Sequence, residues 1–211
     1  MRTFQGMFEW ISRHSDALQV LLNGSMVVIW VAYLQVILVS LRRQRRSEIL
    51  INLSVGSGLS ARCFVSNLSL EPLYLHDILV ELTTESGTQE AVITDRSEMT
   101  AEQLNSPSEA TNQGPIKSGD YVDIGSVSDL LDRALPTVGN IRSGDIRQIR
   151  ITAVANTSSS PQLVGACRTY RLRSPDGETD LIPTEITATQ IRSWWGRRAL
   201  RGKMHRRLGK A

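Results

Sequence analysis

The chain has little from which to build most kinds of active centre. Its 211 residues include 3 His and 2 Cys, and its aromatics amount to 4 Trp, 4 Tyr and 3 Phe. A haem pocket, a His-rich metal site or an aromatic platform for stacking bases would have to come from very few side chains. Cys63 and Cys167 lie 104 positions apart, with no second Cys at C-x-x-C spacing and no His close by, which argues against zinc. Gly-x-Ser-x-Gly, Gly-x-x-x-x-Gly-Lys-Ser/Thr and His-Glu-x-x-His are all missing. The small Gly/Ser turn at Val55 to Ser60 lacks the lysine and following helix of a phosphate loop. His76 and Asp77 are adjacent, but neighbours on a strand point to opposite faces unless a bulge redirects one. The expectation is a non-enzymatic protein with no cofactor, metal or small-molecule substrate.

Charge is also missing from one long stretch. The 25 positions from Ala17 to Leu41 carry none, and the run ends in Arg42, Arg43, Gln44, Arg45 and Arg46. About 20 apolar residues at ~1.5 Å each cross a bilayer core, so this segment reads as a tilted single span. A cleaved signal peptide fits less well: the apolar run is too long, Arg2 and Arg13 are offset by Glu9 and Asp16, and no small-x-small site precedes the arginines. Arg42, Arg43, Arg45 and Arg46 act as topology determinants, placing the N-terminus outside and the bulk of the chain in the cytoplasm, at the inner membrane of a bacterial cell. Residues 1–16 are then a short interfacial segment. Within the span, Gln19, Asn23, Met26, Trp30, Tyr33 and Ile37 repeat at spacings of 4, 3, 4, 3 and 4, the period of a helix-pairing seam. Lipid-facing polar headgroup contacts are the bland alternative. No small-xxx-small motif indicates close glycine packing.

After the basic juxtamembrane segment (42–47) the period changes to two. Ile49, Ile51, Leu53 and Val55 alternate with polar or outward positions, Ala61 to Asn67 makes a second strand, and a third runs from Leu73 to Thr83. Its apolar parity slips between Leu75 and Ile78, which predicts a β-bulge at His76–Asp77. Further strands are expected at Gln89–Thr94, Tyr121–Ile124, Ile146–Ala155 and Val164–Leu172, with one internal helix at Ser128–Leu135 stopped by Pro136. Residues 95–119 form a long polar loop, expected to be disordered over much of 100–114. Many short strands with turn clusters between them predict a mainly β protein: a single transmembrane helix, then an antiparallel immunoglobulin-like β-sandwich over 48–175, a linker at 176–184 and a basic C-terminal helix within 185–211.

Cys63 and Cys167 fall in early and late strands, so a disulfide is conceivable if the domain is exported; in a reducing cytoplasm they stay as thiols. The net charge of +3 is misleading. Residues 192–211 hold 8 Lys and Arg and no acid, the juxtamembrane cluster holds 4 more, and taking these 12 from +3 leaves −9 on the rest. In the tail, Leu200, Met204 and Leu208 form one stripe from a helix beginning near Glu185. Arg192, Lys203, Arg206, Arg207 and Lys210 share another arc, while Arg197, Arg198 and Arg201 stray toward the apolar side. With Trp194 and Trp195 among them, Arg192, Lys203, Arg206, Arg207 and Lys210 read as a surface for anionic lipid. Nucleic acid and an acidic protein face are less favoured partners for it. The functional expectation is a membrane-anchored interaction or accessory module with a protein partner or a second copy of itself. The alternative is a regulatory subunit of a transporter, channel or secretion complex held through its transmembrane face.

Overall fold

The computed structural model describes residues 10, 12–44, 47–54, 57–93, 113–139, 141–157, 160–173 and 179–208. Contacts divide the chain into two units, Met1–Arg46 and Ser47–Ala211. The first is dominated by helix α1 (Ser15–Gln44), which contains the expected span. An 18-residue window within its segment Ser15–Leu41 has a mean hydropathy of 2.1 and none of that window is buried within the structure, so this helix is long and apolar enough to cross a membrane. The hydroxyl of Ser25 donates to the Leu22 carbonyl at 2.8 Å, which satisfies a polar group inside the apolar run. Arg45 and Arg46 lie outside the described residues, as do the side chains of Arg42 and Arg43.

The second unit is mainly β. Strands β1 (Ile49–Ser54), β2 (Arg62–Asn67) and β6 (Tyr121–Ser126) form a three-stranded antiparallel sheet in the order β1-β2-β6. The larger sheet contains β3 (Leu73–Thr84), β4 (Gly87–Ile93), β7 (Gln148–Thr157), β8 (Ser160–Arg173) and β10 (Thr189–Ile191), ordered β10-β8-β7-β3-β4. Two short strands join it: β5 (Gly114–Ile116) pairs with β3 and β9 (Asp180–Pro183) pairs with β8. One core is shared by both sheets, with Ile49, Ile51, Cys63, Val65 and Ile124 from the small one and Leu75, Ile78, Val80, Ile149, Ile151 and Ala153 from the large one.

The alternation legible in β3 is realised. Leu73, Leu75, Ile78, Val80 and Leu82 are all buried, and the pairing with β7 shifts register between Leu75 and Asp77. His76 at that shift places Nε2 2.8 Å from Asn156 Oδ1, so the bulge is tied to the partner strand. Helix α2 (Val127–Val138) begins with a capping box: Ser126 accepts from the Asp129 backbone N–H while the Asp129 carboxylate accepts from Ser126. It does not stop at Pro136 as the sequence suggests. Proline removes one N–H and one bond, but the buried Val138 holds the last turn onto the core, and Gly139 ends it at φ 78°.

Three other expectations are revised. β5 falls inside the stretch read as loop, although most of that stretch (94–112) lies outside the described residues. The linker at 176–184 contains β9. The tail is not one helix from about Glu185: it enters the large sheet as β10 before forming helix α3 (Trp194–Leu208). Short strands in polar sequence carry no period of their own; pairing with β8 and β3 selects them.

Candidate functional site

The C-terminal segment is fastened to the start of the domain. β10 pairs with Gly165, Ala166 and Cys167 of β8. The Gln190 carboxamide acts like a missing strand on the free edge of β1: Oε1 accepts from Ile49 N at 3.1 Å and Nε2 donates to Ile49 O at 2.6 Å. Arg192 donates to the Ser47 carbonyl through Nε (3.0 Å) and Nη2 (2.6 Å). Ser193 then accepts from the Gly196 N–H at 3.1 Å and starts α3.

α3 lies on the outer face of the large sheet. Leu200 is 3% exposed and forms a second apolar cluster with Leu79 and Val154, flanked by Val92, Leu163 and Met204. Two glycines allow the close approach. A Cβ on Gly165 would stand 2.8 Å from Ala153 O and 3.2 Å from Leu200 Cδ2, and one on Gly196 would stand 2.8 Å from Ile191 Cγ2. Farther along the helix Lys203 binds Glu81 and also Glu90, the latter at 2.5 Å, while Arg150 lies 3.5 Å from Glu81. Burial works against the charge of Glu81, but the Lys203 hydrogen bond and the Lys203 and Arg150 charges outweigh it and hold the carboxyl below its ordinary value. Burial likewise opposes the charge of Lys203, and its bonds to the two carboxylates raise it nonetheless.

Beside this contact runs a groove of about 390 Å³. Trp194, Arg197, Arg198 and Arg201 line it from α3, at the i, i+3, i+4, i+7 spacing that puts four residues on one helix face. Gln162 and Leu163 of β8 and Arg192 complete the lining, which contains four guanidinium groups and no carboxylate. Arg197 donates to Gln162 Oε1, yet its Nε is buried without a hydrogen-bond partner. Arg198 stacks 5.6 Å over the Trp194 ring, and Trp194 meets Trp195 edge to face at 4.6 Å. Both indoles face solvent, at 62% and 75% exposure. The arrangement can hold an anion: arginine forks match phosphate and carboxylate oxygens, and a low count of internal partners leaves donors unspent.

The sequence grouping is therefore redrawn. Arg192 and Lys203, assigned to a lipid-facing arc, spend hydrogen bonds inside the domain, and Lys203 belongs to the helix's landing face. Arg197, Arg198 and Arg201, set aside as irregular, form the basic stripe with Trp194. Their i, i+3, i+4, i+7 spacing with Trp194 carries that signal in the sequence, beside the apolar stripe of Leu200, Met204 and Leu208. The side chains of Arg206 and Arg207, and all of Lys210, lie outside the described residues.

The two cysteines are free and cannot pair as folded. Cys63 faces the shared core, whereas Cys167 alternates with the core residue Ala166 and belongs to the opposite face of β8. Burial and the Asp123 charge push the Cys63 thiol up to about 12, and burial raises Cys167. On α1, Gln19, Asn23, Met26, Trp30, Tyr33 and Ile37 are all exposed, and Trp30 meets Tyr33 edge to face at 6.5 Å. Among the described residues no group of three His, Cys, Asp or Glu could hold a metal ion. Comparison with family models, curated proteins and solved structures finds no match, so the reading of the groove rests on its own side chains.

Proposed function

We propose that this chain is a single-pass, membrane-anchored, non-enzymatic accessory module, with α1 spanning the inner membrane and a cytoplasmic β domain whose basic C-terminal segment contacts anionic lipid. The observation that carries the reading is the pairing of an apolar helix with an acid-free arginine groove rimmed by two exposed tryptophans. Basic residues near an anionic leaflet contribute about 1 kcal/mol each, and a tethered site needs little intrinsic affinity. The immunoglobulin-like part of the reading is supported by two antiparallel sheets around one core; the seven-stranded sheet and its covering helix are additions to that plan. Nucleic acid is less well served, because a groove of this size suits a single group better than a polymer backbone.

The second reading, a regulatory subunit held in a larger membrane complex, is favoured by the seam on α1. Gln19 and Asn23 share it with Trp30 and Tyr33, a combination that prefers protein to lipid.

One experiment addresses both. Trypsin is added to right-side-out and to inverted membrane vesicles holding the chain, before and after residues 17–41 are replaced by polyleucine. Under the first reading the domain is digested only in inverted vesicles, and the polyleucine chain behaves identically and keeps its size on native gels. Digestion in right-side-out vesicles refutes the cytoplasmic placement. A native-gel assembly that disappears with polyleucine moves the function to the subunit reading.

A further inference from the structure

We propose that the groove lined by Trp194, Arg197, Arg198 and Arg201 is a stoichiometric site for the phosphate of one acidic phospholipid headgroup, in the membrane that α1 spans. The inference deepens the lipid-contact reading and rests on it. Three observations carry it. The first is donor chemistry: the cations are all arginines, whose planar forks bind phosphate oxygens two at a time, and no carboxylate lines the groove to neutralise them. The second is size. About 390 Å³ is room for roughly a dozen waters at ~30 Å³ each, enough for a headgroup phosphate with part of its glycerol and hydration.

The third is location along the chain. Arg192, on the groove's rim, binds the carbonyl of Ser47, the first residue of the domain. Ser47 is three residues beyond Gln44, where α1 ends, and three extended residues span at most ~11 Å. The groove's rim is thus bonded to a residue that follows the apolar helix by only three positions along the chain. Trp194 and Trp195, amphipathic and exposed beside it, are the side chains that settle at headgroup depth. An acidic peptide or an RNA would meet the same cations but would gain nothing from the indoles' preference for the interface or from this tether.

The test uses the full chain in neutral detergent micelles, incubated with equal amounts of phosphatidylglycerol and phosphatidylcholine and weighed by native mass spectrometry. The wild type should retain phosphatidylglycerol in preference. The pair Arg198→Gln/Arg201→Gln, both exposed positions, should lose one retained phosphatidylglycerol per chain. The charge-matched pair Arg171→Gln/Arg173→Gln, exposed on β8 away from the groove, should lose none. Equal losses from both pairs would overturn the groove as a site while leaving diffuse lipid contact standing. A wild type indifferent to headgroup would overturn the lipid-contact reading as well. Displacement of the retained lipid by stoichiometric inorganic phosphate, or by an oligonucleotide at equal concentration, would assign the groove to a different anion and refute the lipid assignment.

Discussion

Glu81 and Glu90 sit directly opposite each other across the β3–β4 ladder, on the face away from the core. Two like charges in that register repel, and Lys203, with Arg150 beside Glu81, converts the repulsion into a four-membered ion cluster. Lys203→Met should therefore lower the domain's stability by about 2 kcal/mol, the scale of losing charged hydrogen bonds in a partly buried place. The pH dependence follows from the directions of the shifts. The folded value of Glu81 lies below 4.5, so its stabilisation is complete above that pH and is lost as pH falls through the folded value. The folded value of Lys203 lies above 10.5, so its stabilisation is complete below that pH and is lost as pH rises through the folded value. Thermal unfolding followed against pH should show a plateau between these limits in the wild type. In Lys203→Met the alkaline decline assigned to this cluster should vanish and the acid decline should shrink; unchanged limbs would show that the cluster does not stabilise the fold. The sequence placed Lys203 among lipid-facing residues because helical angle was its sole guide there, and the partner carboxylates lie more than a hundred residues away.

Among the elements, the strands with long alternating patterns were legible and the short ones were not. β3, β7 and the core of β8 announce themselves because period-two apolar residues have one use, to fill one face of a sheet. The bulge at His76 was readable for the same reason: a slip in parity can be repaired only by an extra residue. β5, β9 and β10 have three or four residues each, and only their long neighbours decide that they are strands. α3 was expected from its composition, but its register on the sheet depends on Gly165. Gly165→Ala should drive a methyl into Ala153 O and Leu200 Cδ2, costing about 1–3 kcal/mol by overpacking. The expected consequence is that α3 lifts while the sheets persist, read as earlier proteolysis near Leu200 with unchanged far-UV circular dichroism. Wild-type proteolysis kinetics would mean that the helix does not depend on this contact.

For the whole molecule, the first and last parts of the domain are interdependent. Gln190 and Arg192 satisfy the backbone of Ile49 and Ser47, about 140 residues earlier, and α3 covers apolar surface on Leu79 and Val154. Truncation before Thr189 should expose both the β1 edge and that patch. The shortened chain, purified in detergent, is expected to aggregate on size-exclusion chromatography; a monodisperse product would show the C-terminal segment to be a dispensable appendage. The same closure explains why the domain does not end at 175 as composition implied. A basic, glycine-bearing stretch resembles a solvated tail until Gly196 is seen to be a point of contact and two of its cations, Arg192 and Lys203, to be internal partners.

What the sequence determined by itself is what depends on local period and on runs of like residues: an uncharged helix of membrane-crossing length, its flanking arginines, the predominance of β-structure and the bulge in β3. These follow from backbone geometry and solvation acting over a few neighbouring residues. What only the tertiary structure decided is which cations are spent and which remain available. Lys203 is held by Glu81 and Glu90, and Arg192 by Ser47, whereas Trp194, Arg197, Arg198 and Arg201 line one groove. That division depends on long-range pairing, because a charge is neutralised by whatever folding brings within a few ångströms of it, at any separation along the chain.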